Sequence, residues 1–262
     1  MATAHPSAAR ARNRRPLRAA AGALGDLLFT AGVLLALLVV HALWWTNLTA
    51  SRQADLAAEH LRQRWSAAAP AAPPTAAAPA APPTAAAPTG STDAAVPAPF
   101  GEDDGIGFLH VPAMGAGYQV LIKTGTDEAT LAEGVAGAYT EPYASAMPWE
   151  PRGNFALAAH RDGHGAKFHD LDVLKPGDPL VVETRDRWYV YRVDATLPRT
   201  SKDDTGVIAP VPTGSPYTGP GRYITLTTCT PVYTSLYRMA VWGSLVREEP
   251  VDAARTPPPE LR

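Results

Sequence analysis

Cys229 is the only cysteine in the sequence. It ends the run Arg222-Tyr223-Ile224-Thr225-Leu226-Thr227-Thr228, whose β-branched and aromatic residues and alternating pattern read as a strand. Pro231 follows two residues later. Proline has no N–H for a ladder, so the strand should stop about there and present the thiol at its end. A lone cysteine is often a small buried hydrophobe; the alternative is a nucleophilic thiolate. His160 is the first polar residue after the apolar run Phe155-Ala156-Leu157-Ala158-Ala159, and Gly163 and Gly165 mark a loop carrying His164. The four-residue spacing of His160 and His164 joins two imidazoles on a metal only along a helix, and this run is broken by glycine, with no Glu between the histidines. A structural histidine and an acid/base partner for a thiol remain open. Arg238 opens the run Arg238-Met239-Ala240-Val241-Trp242, reached from Cys229 through the short loop 231–236. The two strands should therefore be antiparallel neighbours with Arg238 across from Cys229. A surface salt bridge is the ordinary fate of an arginine, but here it could hold a carbonyl oxygen or a developing oxyanion. A Cys, a His and an Arg at adjacent strand ends are equipped for acyl transfer. The thiolate attacks a carbonyl, the imidazolium protonates a leaving amine, and an incoming amine resolves the thioester.

The elements that would hold these groups are strands. The pattern predicts them at 107–111, 117–123, 154–160, 179–184, 187–196, 222–229 and 237–247, with a short helix at Asp127–Ala136, N-capped by Thr126 and ended by Gly137. Lys175-Pro176-Gly177-Asp178 is a turn. Many short strands with one or two short helices imply a mainly β domain, a single closed β-barrel of about seven or eight strands, spanning 100–250. The tail 251–262, with Pro257-Pro258-Pro259, is expected to be disordered.

Ahead of this domain the chain changes character three times. Residues 1–23 hold five arginines and no acid, and 24–48 are apolar. This predicts a cytoplasmic tail and an uncleaved membrane-spanning helix, with everything after it outside the cell. Ala42-Leu43-Trp44-Trp45 is a poor cleavage site for a signal peptide. Residues 49–66 read as a solvated helical stalk. Residues 67–99 are almost entirely Ala, Pro and Thr and contain Pro-Ala-Ala-Pro-Pro-Thr-Ala-Ala-Ala twice, at 70–78 and 79–87. Such a segment has nothing to bury and is expected to act as a semi-rigid spacer that moves the domain away from the bilayer. Removing the five N-terminal arginines from a net charge of −2 leaves −7, so no nucleic-acid partner is expected. One cysteine in an oxidising compartment can form no internal disulfide, which favours a reactive thiol.

Thr225-Leu226-Thr227-Thr228-Cys229 resembles the Thr-Leu-X-Thr-Cys signature of sortases, the cysteine transpeptidases of Gram-positive cell surfaces. The resemblance extends from about Gly105 to Val246. It includes Gly153-Asn154-Phe155 before the His160 strand, Leu171, Leu174, Gly177 and Asp178 of a Leu-X-X-Leu-X-X-Gly-Asp segment, and Arg238 on the strand after the cysteine. It implies His160, Cys229 and Arg238 as catalytic residues, with Tyr139 and Thr228 contributing to substrate binding. It also implies cleavage of a Leu-Pro-X-Thr-Gly-type sorting motif between Thr and Gly and transfer to an amine of a lipid II-type peptidoglycan precursor. The partners would be exported proteins bearing that motif. The chain is most similar to the class E housekeeping type of actinobacteria, which prefers Leu-Ala-X-Thr-Gly, and Tyr139 in Gly137-Ala138-Tyr139 matches the tyrosine tied to that preference. The residue before the His is usually Gly and here is Ala159; the residue after the Cys is often His and here is Thr230. No cofactor is expected: Glu102, Asp103, Asp104, Asp203 and Asp204 lack the alternating spacing of a calcium loop. The rival readings are a pilin polymerase that uses a lysine amine and a tethered envelope scaffold without catalysis.

Overall fold

The computed structural model describes residues 14–41, 45–67 and 105–262. The chain divides into two compact units, Met1–Thr46 and Asn47–Arg262. The first contains helix α1 (Arg14–Val40), and Ala20–Val40 is long and apolar enough to cross a membrane. The expected span ran to 48, but helix α2 (Thr46–Ala67) has already begun by then. The spacer expected at 67–99 lies outside the described residues, apart from Ala67.

The second unit is a closed barrel in the order β1-β2-β3-β4-β7-β8-β6-β5, with β5 pairing back to β1. Its strands are β1 (Gly107–His110), β2 (Gln119–Thr124), β3 (Ala136–Ala138), β4 (Gly153–Ala158), β5 (Pro179–Glu183), β6 (Arg187–Ser201), β7 (Arg222–Thr230) and β8 (Tyr237–Pro250). The interior is filled by one side of each strand, including Leu109, Ile122, Phe155, Leu157, Leu180, Tyr191, Ile224, Leu226 and Val241. Their alternate neighbours point outward, as the two-residue period of a strand requires.

The seven predicted strands are all present, and β7 ends at Thr230, just before Pro231. β3 was not foreseen. The expected helix to Ala136 stops early: α3 covers Glu128–Ala132, its N-cap is Asp127 rather than Thr126, and Gly134 at φ +76 turns the chain into β3. Gly137 within β3 suits a close approach, since a Cβ there would lie 2.0 Å from the Gly125 carbonyl oxygen. β6 runs past the expected end at 196 because it pairs with β8 as far as Ser201, with Pro198 inside a register shift between Leu197 and Thr200.

Two expectations about the flanks are corrected. The segment 49–66 is not a solvated stalk. Leu61 and Trp65 of α2 are buried against Phe108, Leu121 and Val135, and Trp65 meets Phe108 edge to face at 5.5 Å. The outward residues of β1 and β2 are apolar here and need a cover, which α2 supplies. Nor is 251–262 disordered. Val251 and Leu261 pack on Val181, Trp188 and Val190. Glu260 accepts hydrogen bonds from Arg247 at 2.6 and 2.7 Å, and Arg255 donates to Glu183 at 2.7 and 3.1 Å. Arg255 also lies 4.6 Å from the centre of the Trp65 ring, so the tail and α2 meet on this face.

Candidate active site

β7 lies between β4, which is parallel to it, and β8, which is antiparallel. In the β7–β8 register Cys229 is the direct partner of Arg238. In the β4–β7 register Ala158 faces Thr227, and the Ala159 amide donates to the Thr227 carbonyl at 3.3 Å. Continuing by one more residue brings His160 level with the Cys229 end of β7. The interior positions are Phe155 and Leu157 on β4 with Ala159 just past its end, Ile224 and Leu226 on β7, and Met239 and Val241 on β8. The alternation therefore places His160, Cys229 and Arg238 together on the outward face.

The free thiol of Cys229 is half-buried. The Arg238 Nη1 donates to the carbonyls of Ser235 at 3.1 Å and Tyr237 at 3.0 Å, which holds the guanidinium against the β7–β8 turn. Burial holds the His160 imidazole below the usual histidine range, and His164 acts in the same direction. The carboxylates of Glu128 and Asp162 oppose it, Glu128 from 3.8 Å. The rings of His160 and His164 are 5.1 Å apart. His160 Nε2 is buried without a hydrogen-bond partner among the described residues. At neutral pH this environment favours the uncharged imidazole, which can take a proton from a thiol. Among the described residues no group of three or more His, Cys, Asp or Glu is gathered as a metal site would be. Asp204 instead accepts from Thr200 at 2.5 Å, and Asp203 pairs with Lys202 at 2.9 Å.

Tyr139 lies on the same outward face. Its hydroxyl is 2.9 Å from Thr227 Oγ1, and Thr227 Oγ1 in turn donates to the Leu157 carbonyl at 3.2 Å. Burial raises the pKa of the Tyr139 phenol; the Thr227 hydrogen bond and the Arg238 charge lower it, and Cys229 raises it. Tyr139 is therefore within electrostatic reach of both groups. Thr228, which the resemblance implies in substrate binding, is buried on the other face of β7 and donates to the Ala159 carbonyl at 2.8 Å. The outward threonine beside the cysteine is Thr227. Strand parity counted back from Cys229 already singles it out, since residues two apart share a face.

Farther along this face the segment between β6 and β7 closes the sheet. Val207 and Ile208 pack on Ala156 and Trp242. Trp242 Nε1 donates to the Val207 carbonyl at 2.9 Å, and Asn154 Nδ2 donates to the carbonyls of Ile208 and Ala209, both at 3.1 Å. The outward face is thus sealed at one end and bears thiol, imidazole and guanidinium at the other. This cover was missed in the sequence, where it reads only as a Gly- and Pro-rich connection.

Comparison with known proteins gives the family of the chain. Residues 109–246 match the model of the Sortase domain. The chain is 49% identical to Sortase SrtE2 of Streptomyces coelicolor over 253 residues, covering 95% of this chain and 92% of that protein. It is 40% identical to Sortase SrtE1 of the same organism over 244 residues, covering 92% of this chain and 62% of the relative. The crystal structure of Sortase E1 from Streptomyces coelicolor, with a tripeptide in its active site, superposes with a TM-score of 0.57 at 45% identity, covering 60% of this chain and 96% of that one.

Proposed function

The chain belongs to the sortase family of cysteine transpeptidases, with class E relatives, and on that premise we propose that it anchors exported proteins to the cell wall through Cys229, His160 and Arg238. The observation that carries the reading is the pairing of Cys229 with Arg238 across β7 and β8, beside the strand that leads to His160. The Cys229 sulfur gives its proton to His160 and bonds to the threonine carbonyl carbon of a sorting motif. Arg238 donates to the carbonyl oxygen as it gains charge; among the described residues only its Nη1 is held by the turn carbonyls. The carbon–nitrogen bond to glycine then breaks, and the His160 proton passes to the leaving amine. The incoming amine of a peptidoglycan precursor attacks the thioester and restores the thiol. Tyr139 occupies space on the outward face, which supports a small residue at the second motif position and so Leu-Ala-X-Thr-Gly. The arginines ahead of the apolar stretch of α1 support a cytoplasmic N-terminus, with the barrel outside the cell.

The test uses the full-length protein in detergent with a Leu-Ala-X-Thr-Gly peptide, followed by mass spectrometry. The expected result is a thioester on Cys229 that a glycine amine releases as a ligated product, faster than with the Leu-Pro peptide. No adduct with either peptide, from protein whose thiol still alkylates, would overturn the motif assignment. A thiol inert even to alkylation would overturn the catalytic one.

A further inference from the structure

Two of the proposed catalytic residues are followed in the chain by a residue that Arg161 contacts, and the third by Arg161. His160 is followed by Arg161 itself, Cys229 by Thr230, and Arg238 by Met239. The Arg161 side chain is only 4% exposed. Its Nη1 donates to Thr230 Oγ1 at 3.1 Å and to Met239 Sδ at 3.4 Å. Its Nε donates to the His169 carbonyl at 3.2 Å, and its Nη2 pairs with Asp172 at 2.9 Å. His160, Cys229 and Arg238 take the outward face, so Thr230 and Met239 take the other, and Met239 belongs to the interior cluster. One planar guanidinium thus ties β7 and β8 to the segment leaving β4, on the side opposite the reacting groups.

We infer that Arg161 is the positioning residue of this active site, fixing the strand ends so that imidazole, thiol and guanidinium stay in register. The inference rests on the catalytic assignment proposed above. Arginine suits the task because its fork has donors in fixed directions, and here they reach separate elements. Lysine is a single flexible point charge and cannot hold all of these acceptors at once. The Thr230 hydroxyl is the acceptor from β7, which gives a role to the residue that follows the cysteine in this chain. Removing the guanidinium leaves Asp172, 60% exposed on its side chain, free to turn to water, so no buried carboxylate is stranded.

The experiment compares wild type, Arg161→Gln, Arg161→Lys and Thr230→Val as full-length proteins in detergent. It measures kcat and KM on the peptide and, without substrate, the iodoacetamide alkylation rate of Cys229 between pH 5 and 9. Arg161→Gln should lose roughly ten- to a hundredfold in kcat with KM little changed, because misplaced groups cost rate more than affinity. Its alkylation profile should move along the pH axis, and Arg161→Lys should recover only part of both changes. A purely structural arginine would lower the melting temperature and leave the alkylation profile in place. A folded Arg161→Gln variant with wild-type kcat and profile overturns the inference. Should that variant not fold, Thr230→Val decides: about a threefold loss of kcat with a moved profile is expected, and an unmoved profile overturns the inference. Failure of the catalytic assignment looks different, as a wild type that alkylates but does not turn over peptide. The alkylation profiles of the variants still decide the role of Arg161 in that case.

Discussion

The outward face of β1, β2, β5 and β6 and the outward face of β4, β7 and β8 wrap the same interior, yet the chain treats them differently. The first presents Phe108, Leu121, Val181, Trp188 and Val190, and α2 and the C-terminal segment cover these residues. The second carries Thr225, Thr227 and Cys229 along β7; the two threonines are buried, and the thiol at the strand end stays half-buried. Apolar outward residues make a face demand a permanent cover, because apolar area left in water is costly. Small polar ones, satisfied by hydrogen bonds within the sheet, leave a face that a visiting peptide can cover. Substitutions on the covered face should therefore change stability and spare rate, and those on the open face should do the reverse.

The largest effect expected is from Cys229→Ala on the open face: peptide turnover should fall by about ten-thousandfold or more, with an unchanged melting temperature by calorimetry. Arg238→Met should lower kcat by roughly a hundred- to a thousandfold, as loss of a donor to a developing oxyanion does, again without loss of stability. On the covered face Trp65→Ala should cost about 3 kcal/mol in denaturant unfolding, while kcat of the folded fraction is retained. A large loss of kcat from Trp65→Ala would break the division between the faces.

Acid should weaken the covered face next. Burial alone would raise the Glu183 pKa, but hydrogen bonds from His110 at 2.9 Å and Arg255, together with their charges, hold it below the usual carboxylate range. A carboxylate with a depressed folded-state pKa contributes stability at pH above its unfolded value, and that stability is lost as pH falls through the folded value. The melting temperature should therefore drop on acidification below about pH 4.5, and Glu183→Gln should remove part of that dependence. The smallest effect is on the open face: Glu128→Gln removes a carboxylate that raises the His160 pKa. The limb of the pH–rate profile governed by His160 should then move to lower pH.

The open face could be read from the sequence because its signals are local. Alternation along 222–229, the proline that stops the strand and the short turn to Arg238 are each visible within a few residues. Parity along the same stretch also assigns Thr227 to the Cys229 face and Thr228 to the other. The covered face was hidden because its contacts join distant segments. Nothing near Trp65 announces Phe108, and nothing near Arg255 announces Glu183. β3 was hidden for another reason: Ala136-Gly137-Ala138 has no strand preference of its own and is held by pairing with β2 and β4. Arg161 read only as the residue after a histidine, since its acceptors on β7 and β8 appear only once the barrel closes.

The docking of α2 also sets where the folded unit begins. The compact unit starts at Asn47, not at the first strand of the barrel. Leu61 and Trp65 of α2 cover Phe108, Leu121 and Val135, so protein cut back to the barrel alone would expose this apolar patch to water.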